Sequence, residues 1–370
     1  MREGERFSLR SGISIVVRHE VRPTELRSPI VPADAARLVD QGVAVTVEES
    51  PQRAFPISDF IDAGCAVAPA GSWVDAPDGQ YVVGLKELPD EPAALRHRHV
   101  FFGHAYKQQP GAPELLRRFT TGGGVLLDLE YLVDDNGRRL AAFGYWAGYV
   151  GAALAVLHHR GRLVAPLRPM SRPALDDLLR ERLPGTPPRV LVIGALGRCG
   201  RGAADALRVA GIEPTCWDVA ETRSLDSAAL LEHDILVNAV LVTEPTPPFV
   251  TREMLRQPTR RLTVVADVTC DAGSTGNVLP IYDRVTDWAQ PVRRLDDVGR
   301  PLDLIAIDNL PSLLPVEAST TFSAELTPHL LSLAPAPAPV GAGALPWQRC
   351  GDEFRRASAA HCPTGELSDV

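Results

Sequence analysis

The chain has 370 residues, 45% hydrophobic and 23% charged, enough to bury the cores of two globular domains. Its formal net charge is −8 with no block of like charge, which argues against a nucleic-acid partner or an anionic membrane surface. Six cysteines, at 65, 199, 216, 270, 350 and 362, include no C-x-x-C pair, so neither a metal site nor a disulfide framework is expected and a reducing, cytoplasmic setting is.

The opening "MREGERFSLRSG" lacks the apolar run of a signal peptide, and no stretch approaches the roughly 18 apolar residues of a membrane helix. Residues 13–17, "ISIVV", read as a short buried strand. "SPIVPADAARLVDQGVAVTVEES" follows as strand end, helix and strand, with Gly42 closing the helix. "YVVGLKELP", "HVFFGHAY" and "GGGVLLDLEYL" are further apolar runs, an alternation that predicts a parallel sheet covered by helices. "DDNGRR" at 134–139 reads as a tight turn before "LAAFGYWAGYVGAALAVLHH", an apolar helix rich in small residues. A Pro- and Arg-rich stretch fills 161–189. A second alternation then runs from "VLVIGALGRCGRGAADAL" through "DILVNAVLV" and "RLTVVADVT" to "LDLIAIDNLPSLLP", predicting a doubly wound sheet. The tail from about residue 316 is expected to form helix and return to the first domain, with "APAPAPVGAGALP" (334–346) as a polyproline-like connector.

"RVLVIGALGRCGRGAADAL" is a strand, a glycine-rich turn and a helix in that order. Gly194, Gly197 and Gly200 let a backbone approach a pyrophosphate, and the helix start supplies N–H donors. Asp218 follows the next strand, eighteen residues past Gly200, where a carboxylate accepts from an adenosine ribose and repels a 2′-phosphate. The reading is NAD rather than NADP; the alternative is an ordinary strand-to-helix turn with an incidental aspartate.

Only two of the 38 basic residues are lysine, Lys86 and Lys107; the rest are arginine. Lysine can lose its proton where its surroundings favour that, and arginine cannot. Both lysines sit among candidates for chemistry. "HEVRPTELRSPIVP" carries Arg22, Glu25 and Arg27 after a strand end, and arginine forks hold carboxylates. Lys86-Glu87, His104 and Glu130 each follow an apolar run and could exchange protons, with the carboxylates tuning basicity. The plainer alternatives are a surface ion pair at Lys86-Glu87, a core histidine at 104, and a solvated turn at Arg138-Arg139.

The segments "ELRSPIVP", "PAGSWVDAP", "GLKELP", "HAYKQQ", "DLEYLVDDNGRRLAAFGYWAGYVGAAL", "IGALGRCGRGA", "VVADVTCD" and "IDNLPSLLP" closely resemble the NAD-dependent, L-lysine-forming saccharopine dehydrogenases, from about residue 13 to beyond 320. The resemblance implies an α/β fold of two Rossmann-like domains with parallel sheets around an inter-domain cleft. Residues 1–145 plus 316–370 would form the substrate domain and 146–315 the NAD-binding domain. It implies reversible oxidative cleavage of saccharopine to lysine and 2-oxoglutarate. Lys86 would be the base for the secondary amine and His104 the acid–base group for imine hydrolysis, with Glu87 and Glu130 adjusting their basicity. Arg27 and Arg139 would hold substrate carboxylates, with Arg22, Glu25, Lys107, Gln109 and Arg138 nearby and Phe143 at the domain junction. Gly194, Gly197, Arg198, Cys199, Gly200, Asp218 and Asp308 would meet the cofactor. Three departures stand out. Asn309 replaces a family histidine; Ala239 takes the place of a cysteine near Cys199, excluding a bridge between those places; and the stretch 155–185, read as inter-domain, is shorter and different in composition.

Overall fold

The computed structural model describes residues 12–106, 111–181, 184–240, 242, 246–270, 272–273, 276–295, 300–335 and 343–361. The chain divides into two compact units, Met1–Ala142 with Ser319–Val370, and Phe143–Ala318. No helix among the described residues is long and apolar enough to cross a membrane.

The first unit runs β1 (Ser14–Val17), α1 (Pro32–Asp40), β2 (Ala44–Glu48), α2 (Ile57–Asp62), β3 (Ala66–Ala68), β4 (Tyr81–Val83), β5 (Arg98–Phe101), α3 (Ala112–Gly122) and β6 (Val125–Asp128). The β-branched runs of β1 and β4 are almost wholly buried, as strands covered on both faces require. Pro32 starts α1, where a missing N–H costs nothing, and Gly123 at φ +71 ends α3. The strands lie in the order β3-β2-β1-β4-β5-β6, every neighbour parallel. The chain steps outward from β1 to β2 and β3, then crosses back to β4. The loops leaving β1 and β4 therefore flank the point where the winding reverses, the usual place for a ligand in such sheets.

The second unit runs α4 (Gly144–His159), α5 (Arg172–Arg180), β7 (Val190–Ile193), α6 (Arg198–Val209), β8 (Thr215–Trp217), α7 (Val219–Thr222), α8 (Ser227–Leu231), β9 (Ile235–Asn238), α9 (Arg252–Leu255), β10 (Val264–Asp267), β11 (Arg293–Leu295) and β12 (Leu302–Ile305). Its sheet order is β11-β12-β10-β9-β7-β8, with the reversal between β7 and β9. The pairings are parallel, as expected, except at the edge, where β11 runs antiparallel to β12. Glycines let α4 and α6 touch backbone to backbone. A Cβ at Gly148 would fall 1.8 Å from the Cys199 carbonyl, and one at Gly202 would fall 1.9 Å from that of Tyr145.

One expectation is corrected, for 155–185. It is not a link between domains, since its described residues lie inside the second unit. They finish α4 and form α5, whose N-cap Ser171 accepts from the Ala174 N–H and whose Leu175 and Leu179 are buried. The chain then forms α10 (Pro315–Leu330) and α11 (Leu345–His361). Ser319 and Ser323 of α10 accept the N–H groups of Ser28 and Val31 at 2.9 and 3.0 Å, and α11 packs on β6 and α3. The expected connector is cut short at Leu345, where α11 begins; 336–342 lie outside the described residues.

Candidate active site

Four loops of the first unit leave the C-terminal ends of adjacent parallel strands, β1, β4, β5 and β6, on one edge of the sheet. The loop after β1 turns at Arg22–Glu25, where the Glu25 N–H donates to the Arg22 carbonyl at 2.9 Å. The Gln52 side-chain amide ties it down, donating to the carbonyls of Glu20, Arg22 and Glu25 at 2.8–2.9 Å. Within it Arg27 and Glu25 form a buried two-point pair, Nε to Oε1 at 2.7 Å with Nη2 on Oε2. Burial alone would raise the Glu25 carboxyl, but Arg27, helped by the Lys86 charge, holds it below its ordinary range.

Lys86 follows β4 and is half-buried. Its neighbour Glu87 forms a bidentate pair with Arg22, at 2.8 and 3.2 Å. Partial burial opposes that pair, yet the Arg22 fork, with Lys86 adding to it, holds the Glu87 carboxyl below its usual range. The Lys86 ammonium thus acts on both Glu25 and Glu87. An ion pair does exist at this place, between Glu87 and Arg22.

His104 lies three residues beyond the end of β5 with φ at +48, a left-handed conformation unusual outside glycine. Its ring is exposed rather than in the core, and Nδ1 stands 3.6 Å from Glu130 Oε2. Glu130, in a short turn after β6, also accepts from Arg139 Nη2 at 2.8 Å. Arg139 is held there by the predicted turn, in which Gly137 has φ +73 and Val133 pairs with Arg139. Arg138 stays exposed in the turn. Phe143 starts α4 and packs on the core of the second unit. Lys107 and Gln109 lie outside the described residues.

Three groups beneath these side chains went unread in the sequence. Asp128, at the end of β6, is fully buried and accepts from the Glu130 N–H at 2.9 Å. Burial pushes its carboxyl up to about 6, against the N–H groups of Glu130 and Gly103 and the His104 charge. Arg18 and Glu20, just past β1, are also buried, and burial raises the Glu20 carboxyl despite Arg18 beside it. Charged residues after an apolar strand normally mark solvent, so none of the three announced its burial; Asp128, set between leucines in "LLDLE", came nearest.

In the second unit the glycine turn after β7 meets the end of β9. Gly194 has φ +80, and a Cβ there would stand 2.8 Å from the Ala239 carbonyl. A Cβ at Gly200 would stand 2.2 Å from the Gly194 carbonyl, so the turn needs glycine at both places. Gly197 is the N-cap of α6, Arg198 and Cys199 open its first turn, and no side chain caps it. Asp218 follows β8 and accepts the Leu196 N–H at 2.9 Å, which fixes its carboxylate against the turn. This cradle, an uncapped helix start and an adjacent acid, fits a dinucleotide with an unsubstituted ribose. Asp308 is exposed past β12, and Asn309 is buried beside it.

The chain matches the alanine dehydrogenase/PNT N-terminal domain family over residues 16–150 and the corresponding C-terminal domain family over 219–340. It is 42% identical to a saccharopine dehydrogenase [NAD(+), L-lysine-forming] of Emericella nidulans over 86% of this chain and 92% of that protein. With the enzyme of the same name from Neurospora crassa it shares 44% identity over 86% of this chain and 90% of the relative. Among solved structures, an L-alanine dehydrogenase superposes with a TM-score of 0.66 at 18% identity, covering 95% of this chain and 99% of that one.

Proposed function

This chain belongs to the saccharopine dehydrogenase [NAD(+), L-lysine-forming] family, and from that premise we propose that it cleaves saccharopine, reversibly and with NAD, to L-lysine and 2-oxoglutarate. The observation that carries the reading is the gathering of Lys86, Glu87, His104, Glu130 and Arg139 on one edge of one sheet, beside the reversal of its winding. Gly194, Gly197, Arg198, Cys199, Gly200, Asp218 and Asp308 would hold the cofactor, which when bound takes a hydride from the carbon bearing the secondary amine.

Lys86, in its uncharged form, accepts the proton of that amine as the imine forms. Hydrolysis then needs one proton removed from the attacking water and one delivered to the departing nitrogen, and His104 serves both through its ring. Glu130, 3.6 Å from that ring, steadies its cationic form. Saccharopine carries three carboxylates, and Arg22, Arg27 and Arg139 are each already paired with a glutamate. Exchange of the glutamate for a substrate carboxylate is cheap at the solvated Arg22–Glu87 pair and costly at the buried Arg27–Glu25 pair. Arg22 and Arg139, the more exposed of the three arginines, therefore act as the exchanging forks, while Arg27, neutralised by Glu25, stays a fixed buried pair beside the site. The first unit is the substrate domain in this scheme and the second the NAD domain. The scattered cysteines suit a cytoplasmic setting.

Purified protein should form NADH from saccharopine and consume it with lysine plus 2-oxoglutarate; silence in both directions would sink the proposal. A second reading, an opine-type enzyme for another amine and oxo acid, is favoured by Asn309 standing where the family has histidine. A panel of amines with 2-oxoglutarate, and of oxo acids with lysine, decides: better turnover by another pair selects that reading.

A further inference from the structure

We propose that the buried Arg18–Glu20 pair sets the position of Lys86 by gripping its backbone, and that both are positioning residues for the reaction. The inference rests on the reading of Lys86 as the base. Glu20 Oε1 accepts the Leu85 N–H at 2.7 Å and its Oε2 accepts the Lys86 N–H at 3.0 Å. From the other direction Arg18 Nη2 donates to the Lys86 carbonyl, and Arg18 Nη1 lies 3.4 Å from Glu20 Oε2. Both peptide groups of Lys86 are thereby held by one ion pair. Arg18 and Glu20 are 1% and 4% exposed, so water competes little for either.

The surroundings are shaped for this grip. A Cβ at Gly84 would fall 2.3 Å from Arg18 Nε, so the residue two places before Lys86 leaves room for the guanidinium. Arg18 also lies over the Phe101 ring at 5.6 Å, and the Phe102 N–H donates to the Leu85 carbonyl at 3.2 Å. A buried ion pair is a poor way to gain stability, since desolvation consumes most of the attraction. What it supplies is a fixed direction, and a base displaced by about 1 Å can lose about 100-fold in rate.

The test is a double-mutant cycle read in steady-state turnover of saccharopine and NAD. Glu20→Gln keeps one carbonyl acceptor but points an amide donor at N–H or guanidinium groups, so one contact is lost. It should lower kcat at least tenfold with little change in KM and unchanged NAD binding. In a Lys86→Met background the same substitution should cost less than twofold, because the residue it positions is gone. An equal loss in both backgrounds, or parent-like turnover of Glu20→Gln, overturns the inference. Parent-like turnover of Lys86→Met alone overturns instead the assignment of Lys86 as the base. Should Glu20→Gln not fold, Arg18→Lys, which keeps the charge and loses the fork, decides by the same comparison. Failure of both to fold makes the pair a folding element and overturns the inference too.

Discussion

Guanidinium remains protonated across the range in which proteins stay folded, so an arginine in place of a proton-accepting lysine keeps the charge and abolishes the task. That makes Lys86→Arg the sharpest single substitution. General-base catalysis is worth about 100- to 10,000-fold, and kcat should fall within that range while NAD binding, followed by fluorescence titration, is retained. Lys107→Arg should cost less. Near-parent turnover of the Lys86 variant would remove it from the mechanism. Asp218 invites a second test, in cofactor choice. Its carboxylate is held against the glycine turn by the Leu196 N–H, so a 2′-phosphate would meet a fixed negative charge. Asp218→Ser should narrow the NAD over NADP ratio of kcat/KM by tenfold or more, and an unchanged ratio would show that another group discriminates. Lys86 was legible because lysine is so scarce in this chain, and Asp218 because of its distance from the glycines. Arg18, Glu20 and Asp128 were not, because burial of a charge depends on partners brought in from loops remote in sequence.

Apolar runs of four or five residues located most strands, since a strand covered on both faces must be apolar throughout. β11 escaped because Arg293 and Arg294 belong to an edge, where one side meets water and apolar patterning relaxes. α5 escaped inside a Pro- and Arg-rich stretch, although Ser171 at its cap, Pro173 in its first turn and leucines at 175, 178 and 179 spell an amphipathic helix. The small residues of α4 were visible, but not their purpose, which is contact with α6. That purpose is testable. Gly148→Ala places a methyl group 1.8 Å from the Cys199 carbonyl, and the helices must separate. Overpacking costs roughly 1–3 kcal/mol or more, and α6 carries the glycine turn, so the thermal midpoint and NAD affinity should fall together. Loss of neither would mean that α4 and α6 do not pack this tightly in solution.

Over the whole molecule, buried groups of opposite sign make the response to acid a balance. His99, enclosed by Trp73, Phe101 and Phe119, is fully buried, and neither ring nitrogen has a hydrogen-bond partner among the described residues. Burial, with Arg18 nearby, holds it well below its ordinary value, so the folded chain keeps it neutral where the unfolded chain takes up a proton. Its contribution is therefore intact above about pH 6.5 and is lost as the pH falls below that. Asp128 acts in the other direction. Its carboxyl is raised from 3.8 to about 6, so between those values the folded chain binds the extra proton. Stability from this group is present below about pH 4 and is lost as the pH rises through 6, by on the order of 3 kcal/mol. Glu20, also raised by burial, adds to the same trend. The two trends oppose each other in the parent across their shared window, and single variants separate them. Thermal midpoints from about pH 4 to pH 8 should show Asp128→Asn gaining on the parent as the pH rises, then levelling. His99→Leu should gain on the parent as the pH falls below about 6.5. Curves that run parallel to the parent for both variants would mean that neither group is held in these protonation states by the fold.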